Sequence, residues 1–353
     1  MLLIAAWGGP ACAHRRACVP IEGRAAHERA TPFAFYVARD GIRTVPADGA
    51  PSQLVDARRE GSYSNLAVAP GGRTVAFESS DSRGREIDVA SVVGPAVRVA
   101  GLSEGGLAQD VLWSRDGRRL AALFLFGDDA HVRMADLAPS PSTALVTRGV
   151  ARGLDARTRG LAWSPDGRRV ARVAVASSRT EDHGCVVLTF WEGVVETIDL
   201  ASGDVRRVAG PFPNVWNLTW SPDGRLLTFT SWATLHAVLA DGTGAAWTHA
   251  TRSGAFTTQW DSAGVKLLVH GGDPYDPPAA PSATTTLTVV DPDGRVLHDL
   301  AVKPPLAHVA WSPDGRAVLG TRGERLLSID LATGVERVLA TDAAYPYEVA
   351  SGP

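Results

Sequence analysis

Trp-Ser-Pro-Asp-Gly-Arg occurs three times unchanged in the 353 residues, at 163–168, 220–225 and 311–316. A fourth copy, Trp113-Ser114-Arg115-Asp116-Gly117-Arg118, has arginine where the others have proline. Val68-Ala69-Pro70-Gly71-Gly72-Arg73 and Trp260-Asp261-Ser262-Ala263-Gly264 are eroded versions. Measured from residues 68, 113, 163, 220, 260 and 311, the copies are 45, 50, 57, 40 and 51 residues apart. One supersecondary unit recurring every ~40–50 residues specifies a solenoid, a propeller or an array.

The content of the unit chooses among these. After each motif come runs of four to six aliphatic and β-branched residues separated by Gly, Pro, Asp and Asn, which is the pattern of short strands and tight turns. In the last full unit, His308–Trp311, Ala317–Gly320, Arg325–Asp330 and Val335–Leu339 read as four successive strands. Asp136, Asp199, Asp241, Asp291 and Asp330 end the third strands, and Gly-containing turns follow. No window of helical length carries a 3.6-residue apolar period. Four antiparallel strands per repeat, with tryptophan closing the first, make a propeller blade.

Six units have a first strand. The N-terminal part adds three strands without one, at 33–38, 42–45 and 53–55, and Tyr347–Pro353 resembles the opening of a repeat. The two ends together complete a seventh blade, which leaves no sheet edge open. The expected fold is therefore an all-β, seven-bladed propeller of four-stranded antiparallel blades over 33–353, closed by its N- and C-terminal strands. Six blades with the N-terminal strands packed outside is the alternative.

Each residue of the motif has a structural use. Proline presets the first corner of a β-turn, aspartate bonds the backbone two residues on, and glycine accepts positive φ. Tryptophan fills the wedge between neighbouring blades. Trp113, Asp116, Gly117, Trp163, Asp166, Gly167, Trp220, Asp223, Gly224, Trp260, Trp311, Asp314 and Gly315 are accordingly assigned to architecture rather than chemistry.

With the repeated Trp-Ser-Pro-Asp-Gly-Arg, the strand after it and the strand ending in Asp before a Gly turn, the sequence resembles the WD-like propeller repeats of TolB-type proteins over residues 33–353. Such repeats also occur in the propeller domains of prolyl-oligopeptidase-like peptidases and in some lyases. No α/β-hydrolase domain is expected beside the propeller, so the peptidase reading lacks its catalytic half. The resemblance implies a fold and leaves the activity open.

First strands surround a propeller's channel, so residues far apart in sequence gather there. Three positions before each Trp or its equivalent stand Asn65, Asp110, Gly160, Asn217, Thr257 and His308. The polar members, Asn65, Asp110, Asn217, Thr257 and His308, are the candidate ligand- or partner-binding residues at the channel mouth. Two segments exceed the basic repeat, 177–184 and 270–286, and read as long loops of the kind that carry function. His270, Asp273 and Asp276 lie in the second, but one histidine among prolines is a solvated loop rather than a metal set. No metal and no cofactor are expected, and no catalytic set is identified.

Composition restricts the partners. A formal net charge of −3 gives no electrostatic reason to expect nucleic acid. Cys12, Cys18 and Cys185 are too few for a disulfide framework and are not spaced for zinc. Residues 1–32 combine an apolar run, Leu2–Trp7, with a signal-like Ala11-Cys12-Ala13 and an Arg/Ala-rich linker, but lack a basic start. The expected setting is periplasmic or extracellular, with the cytoplasm as alternative. No later run reaches the ~20 apolar residues of a membrane span. The expected function is that of a monomeric, non-catalytic binding or scaffold protein engaging a protein or small ligand through one face or the channel mouth. The alternative is a hydrolase or lyase whose residues converge on the channel from several blades.

Overall fold

The computed structural model describes residues 34–46, 52–57, 61–82, 84–92, 96–99, 107–126, 129–137, 147–149, 158–182, 187–251, 254–261, 263–272, 284–344 and 349–350. They form seven four-stranded antiparallel sheets and no helix. Blade 2 runs Ser62–Val68, Thr74–Asp81, Gly84–Ser91, Val97–Arg98, and blade 3 runs Leu107–Trp113, Arg119–Phe126, Asp129–Asp136, Thr147–Gly149. Blade 4 comprises Thr158–Trp163, Arg169–Asp182, Val187–Asp199 and Val205–Pro213. Blade 5 comprises Val215–Trp220, Leu226–Ser231, Thr234–Leu239 and Ala245–Ala250. Blade 6 has Gly254–Trp260, Leu267–Gly272, Thr285–Val290 and Val296–Val302, and blade 7 has Val309–Trp311, Ala317–Arg322, Arg325–Asp330 and Glu336–Ala340.

Blade 1 is built from both ends of the sequence. Ala34–Ala38, Gly41–Val45 and Gln53–Ala57 supply three strands, and Val349–Ala350 adds the first by pairing Val349 with Tyr36 and Ala350 with Phe35. The chain leaving blade 7 is bound to the same strand, because the amide of Ala344 donates to the carbonyl of Val37 (2.9 Å) and the Tyr36 hydroxyl donates to Asp342 (2.8 Å). The expected seven blades and their closure are what the structure shows, and the six-bladed alternative falls.

The first strands contact one another in a closed circuit. The core divides into seven apolar clusters, and each lies in the seam between two adjacent blades. Second strands explain this, because alternate residues face opposite seams. Phe35 and Val37 pack toward blade 2, whereas Ala34, Tyr36 and Ala38 pack toward blade 7.

The motif turn forms as its residues dictate. In blade 3 the Ser114 hydroxyl donates to Asp116 Oδ1 (2.6 Å), and that oxygen accepts the amide of Arg118 (3.0 Å). The Gly117 amide closes the turn on the Ser114 carbonyl (2.9 Å), with φ +66° at the glycine. Blades 4, 5 and 7 repeat the arrangement through Asp166, Asp223 and Asp314. The serine hydroxyl, more than any neighbouring charge, holds the Asp116 and Asp166 carboxyls below their ordinary range.

One expectation needs correction. Residues 177–182 are not a loop. They prolong the second strand of blade 4 and pair with 187–192. The run Ser177-Ser178-Arg179-Thr180-Glu181-Asp182 contains no Gly or Pro to end a strand, so the hairpin continues past the blade's usual length. In blade 6, His270 to Gly272 belong to the second strand and pair with Thr285 to Leu287, while Asp273 and Asp276 lie outside the described residues.

Candidate functional site

The predicted ring falls where first strands are irregular. Pairing of the first and second strands shifts register between Ser64 and Ala67, Ala108 and Asp110, Thr158 and Leu161, Trp216 and Thr219, and Ala255 and Thr257. A β-bulge releases one residue from the ladder and re-aims its side chain. Asn65 and Asn217 occupy these bulges at φ +57°, a conformation that asparagine tolerates better than branched residues do.

Several ring residues join one blade to the next. Asn65 Nδ2 donates to the Ala108 carbonyl (2.8 Å) and to Glu78 Oε2 (3.2 Å). Glu78 is buried, and its other oxygen accepts the Ala108 amide (3.2 Å). Asp110 accepts the backbone N–H of Leu161, and its desolvation raises it from 3.8 to about 6. Asn217 Nδ2 donates to the Thr230 hydroxyl (3.1 Å), and its carbonyl accepts Thr258 Oγ1 (2.8 Å). Thr257 and His308 are exposed, His308 directly before the first strand of blade 7.

Thr257 stands opposite His270, which is buried. Burial first, and the nearby His308 second, depress His270 to about 4, while the Leu306 carbonyl accepts a hydrogen bond from its ring. Carboxylates thus collect on blades 2 and 3 and imidazoles on blades 6 and 7. Among the described residues, no cluster of three or more His, Cys, Asp or Glu is arranged to hold a metal ion.

The opposite end of the first strands, which the sequence assigned to architecture alone, forms an open cavity of about 470 Å³. Trp113, Trp163, Trp220, Trp260 and Trp311 all line it, as do Pro70, Pro165, Pro222, Pro313, Arg115, Gln259 and Asp261. The tryptophans do bridge seams, since Trp113 Nε1 donates to the Ala67 carbonyl (2.9 Å) and Trp311 Nε1 to the Gln259 carbonyl (2.8 Å). Cations from the preceding blade sit on their rings: Arg119 on Trp163 (5.0 Å), Arg169 on Trp220 (5.1 Å) and Lys266 on Trp311 (5.3 Å). Arg119 Nη2 also donates to the Gly167 carbonyl (2.7 Å), which secures the next blade's turn.

Arg115 breaks the ring's regularity. It occupies the proline position of the turn, is exposed, and donates from Nη1 to the carbonyl of Pro222, two blades away. Its signal was legible as the one position at which the fourth copy departs from the motif. The tryptophans gave no such signal, because a seam-filling and a cavity-lining indole read alike in sequence.

A second group that the sequence reading missed lies beside the prolonged hairpin. Trp216 and Trp232 are 41% and 55% exposed, the most exposed aromatic side chains among the described residues. Trp216 packs edge-on against Trp191 (5.3 Å), and Trp232 lies 6.5 Å from Phe190. Trp232 has φ +51°, an unfavourable conformation for so bulky a residue.

Neither a protein-family model nor a curated protein matches the sequence. Solved structures match by fold. The chain is similar to a protein assigned as TolB from Agrobacterium tumefaciens, at 18% identity over 80% of this chain and 94% of that one, with a TM-score of 0.49. It is similar to the β-propeller domain of Cps50 (Swd1) from Myceliophteria thermophila, at 14% identity over 85% and 90% of the two chains, with a TM-score of 0.56. An oligogalacturonate lyase in complex with manganese matches at 15% identity over 88% and 84%, also with a TM-score of 0.56. Identities this low speak for the fold alone, and TolB and WD-type propellers stand among its structural neighbours beside a lyase.

Proposed function

We propose that this propeller is a binding or scaffold protein that engages a protein segment or small ligand at the tryptophan-lined end of its channel, opposite the ring of Asn65, Asp110, Asn217, Thr257 and His308. The supporting observation is the cavity of about 470 Å³ walled by five indoles and four prolines. Its size falls within the ~300–1,000 Å³ of typical ligand sites. The blades that surround it are held by seam packing and the terminal closure, so the walls are pre-formed and binding costs little ordering. The signal-like Ala11-Cys12-Ala13 supports a periplasmic or extracellular setting for this role.

Ligand-observed NMR against a library of short peptides and small organic molecules tests this reading. Hits are expected to bind the native protein and to lose binding in Thr219→Phe, which adds bulk to a residue lining the cavity. Hits bound equally by both proteins, or an absence of hits, overturn it.

The raised Asp110 carboxyl favours one competing reading, a hydrolase or lyase with Asp110 as a proton donor or acceptor near neutral pH. Consumption of library compounds by the native protein, abolished in Asp110→Asn, would establish it over the binding role.

A further inference from the structure

The residues around the cavity are unevenly charged. Among the described residues, Asp261 is its one acidic lining residue. The Oδ1 of Asp261 accepts the amides of Val265 (2.9 Å) and Lys266 (3.0 Å), and its Oδ2 lies 3.9 Å from Lys266 Nζ. That carboxylate is thus occupied by its own turn and balanced by its own lysine. Among the described residues Arg115 has no acidic partner, and its one hydrogen bond there goes to the Pro222 carbonyl, which leaves four of the guanidinium's five N–H donors available.

Donors also go unused deeper in the ring. Among the described residues, the buried indole N–H groups of Trp163, Trp220 and Trp260 have no acceptor, and all three side chains are at least nine-tenths buried. Trp113 and Trp311, at equivalent positions in other blades, do reach a carbonyl. Buried unpaired donors are uncommon and disfavoured, and an incoming acceptor would relieve them.

Arg115 is not there to build its turn. The Gly117 amide meets the Ser114 carbonyl at 2.9 Å, as the Gly167 amide meets that of Ser164 where proline is kept. Proline suits that corner better than arginine, so the substitution gives up turn preorganisation at the one repeat where it places a guanidinium on the cavity.

We propose that this cavity binds a carboxylate carried on an apolar stem, and that Arg115 is the residue that reads its charge. The inference rests on the cavity being a binding site. The planar fork of one arginine matches a single carboxylate in a two-bond contact. A phosphate dianion would call for further cations or a cluster of backbone amides, which the proline-rich rim does not offer. Indole and proline surfaces fit the apolar stem, whether it belongs to a free organic acid or to the last residues of a peptide.

Tryptophan fluorescence of the full chain tests this with four probes: phenylacetate, phenylacetamide, Gly-Gly-Phe with a free carboxylate, and the same peptide as its amide. The acids are expected to quench saturably and to bind about tenfold or more tightly than the amides, the difference one charge-assisted hydrogen bond makes. Arg115→Pro restores the residue of the sibling repeats and should keep the melting midpoint while abolishing that preference; Arg115→Lys should retain part of it. Tighter binding of phenylacetate than of the peptide acid assigns a small-molecule ligand, and the reverse assigns a peptide terminus. Equal binding of acids and amides, a preference that survives Arg115→Pro, or no saturable quenching overturns the proposal. The library hits and Thr219→Phe decide separately whether the cavity reading survives.

Discussion

Two titratable side chains, the half-buried Asp110 and the buried His270, shift the protein's stability with pH in opposite directions. Asp110 is raised from 3.8 to about 6 by desolvation, so folding favours its protonated form. Its contribution is complete below the unfolded value near 3.8 and is lost as pH rises through about 6. His270 is depressed from 6.5 to about 4, so its neutral form is favoured; that contribution is present above 6.5 and lost as pH falls toward 4. Comparing a variant with the native protein at each pH separates the two. Asp110→Asn keeps an acceptor for the Leu161 amide and removes the charge. It should stabilise the protein by about 1–2 kcal/mol at pH 7.5 and by nothing below about pH 4. Urea unfolding midpoints at the two pH values check this; an equal effect at both would show that the charge is not what matters. The turn aspartates differ from Asp110, since the serine hydroxyls that hold Asp116 and Asp166 favour their ionised forms.

Within each blade, the hairpins depend on a few positions whose backbone admits only glycine. Gly61, directly before the first strand of blade 2, has φ +136°, and a Cβ there would stand 1.8 Å from the Ser80 carbonyl oxygen. Gly203, in the turn after Asp199, has φ +79° but open space around it. Both substitutions to alanine pay conformational strain, and only one also meets backbone. Gly203→Ala should cost about 1 kcal/mol, and Gly61→Ala roughly 3 kcal/mol or more, because the strand start must shift. Thermal denaturation of the two variants tests the ordering, and equal losses would contradict it. Element boundaries were legible where such punctuation occurs. The hairpin of blade 4 outran its expected length for the opposite reason: 177–182 holds no residue that stops a strand, and a partner strand was available through 187–192.

The molecule as a whole is closed by two residues. Val349 and Ala350 cover the edge of Ala34–Ala38 that would otherwise be exposed. Removing residues 345–353 should lower the melting midpoint by about 5 °C or more. It should also cause concentration-dependent association through the uncovered edge, visible by light scattering. An unchanged midpoint with a monodisperse solution would mean that blade 1 is held by its seams alone. Those seams are substantial: Tyr36 is fully buried toward blade 7 and bonds Asp342, while Phe35 is buried toward blade 2.

The sequence by itself determined the repeat, the four-stranded blade and the turn chemistry, because each of these depends on residues close together in the chain, whereas the choice of seven blades over six was decided by the pairing of Val349–Ala350 with Ala34–Ala38. Strand alternation and Ser-Pro-Asp-Gly turns are local, and the count of first strands is arithmetic on their spacing. It also singled out Asn65, Asp110, Asn217, Thr257 and His308 as candidates, since repeats that disagree at one position are visible in one line of text. Only the tertiary structure decided what those positions do. Asn65 and Asn217 sit in bulges and bond across or within blades, which depends on partners some 13 to 43 residues away. Nor could sequence show that five tryptophans 40 or more residues apart line one cavity, or that Arg115 reaches Pro222 across it. A closed ring brings equivalent positions of distant repeats face to face, and that convergence exists only once the last strand has joined the first.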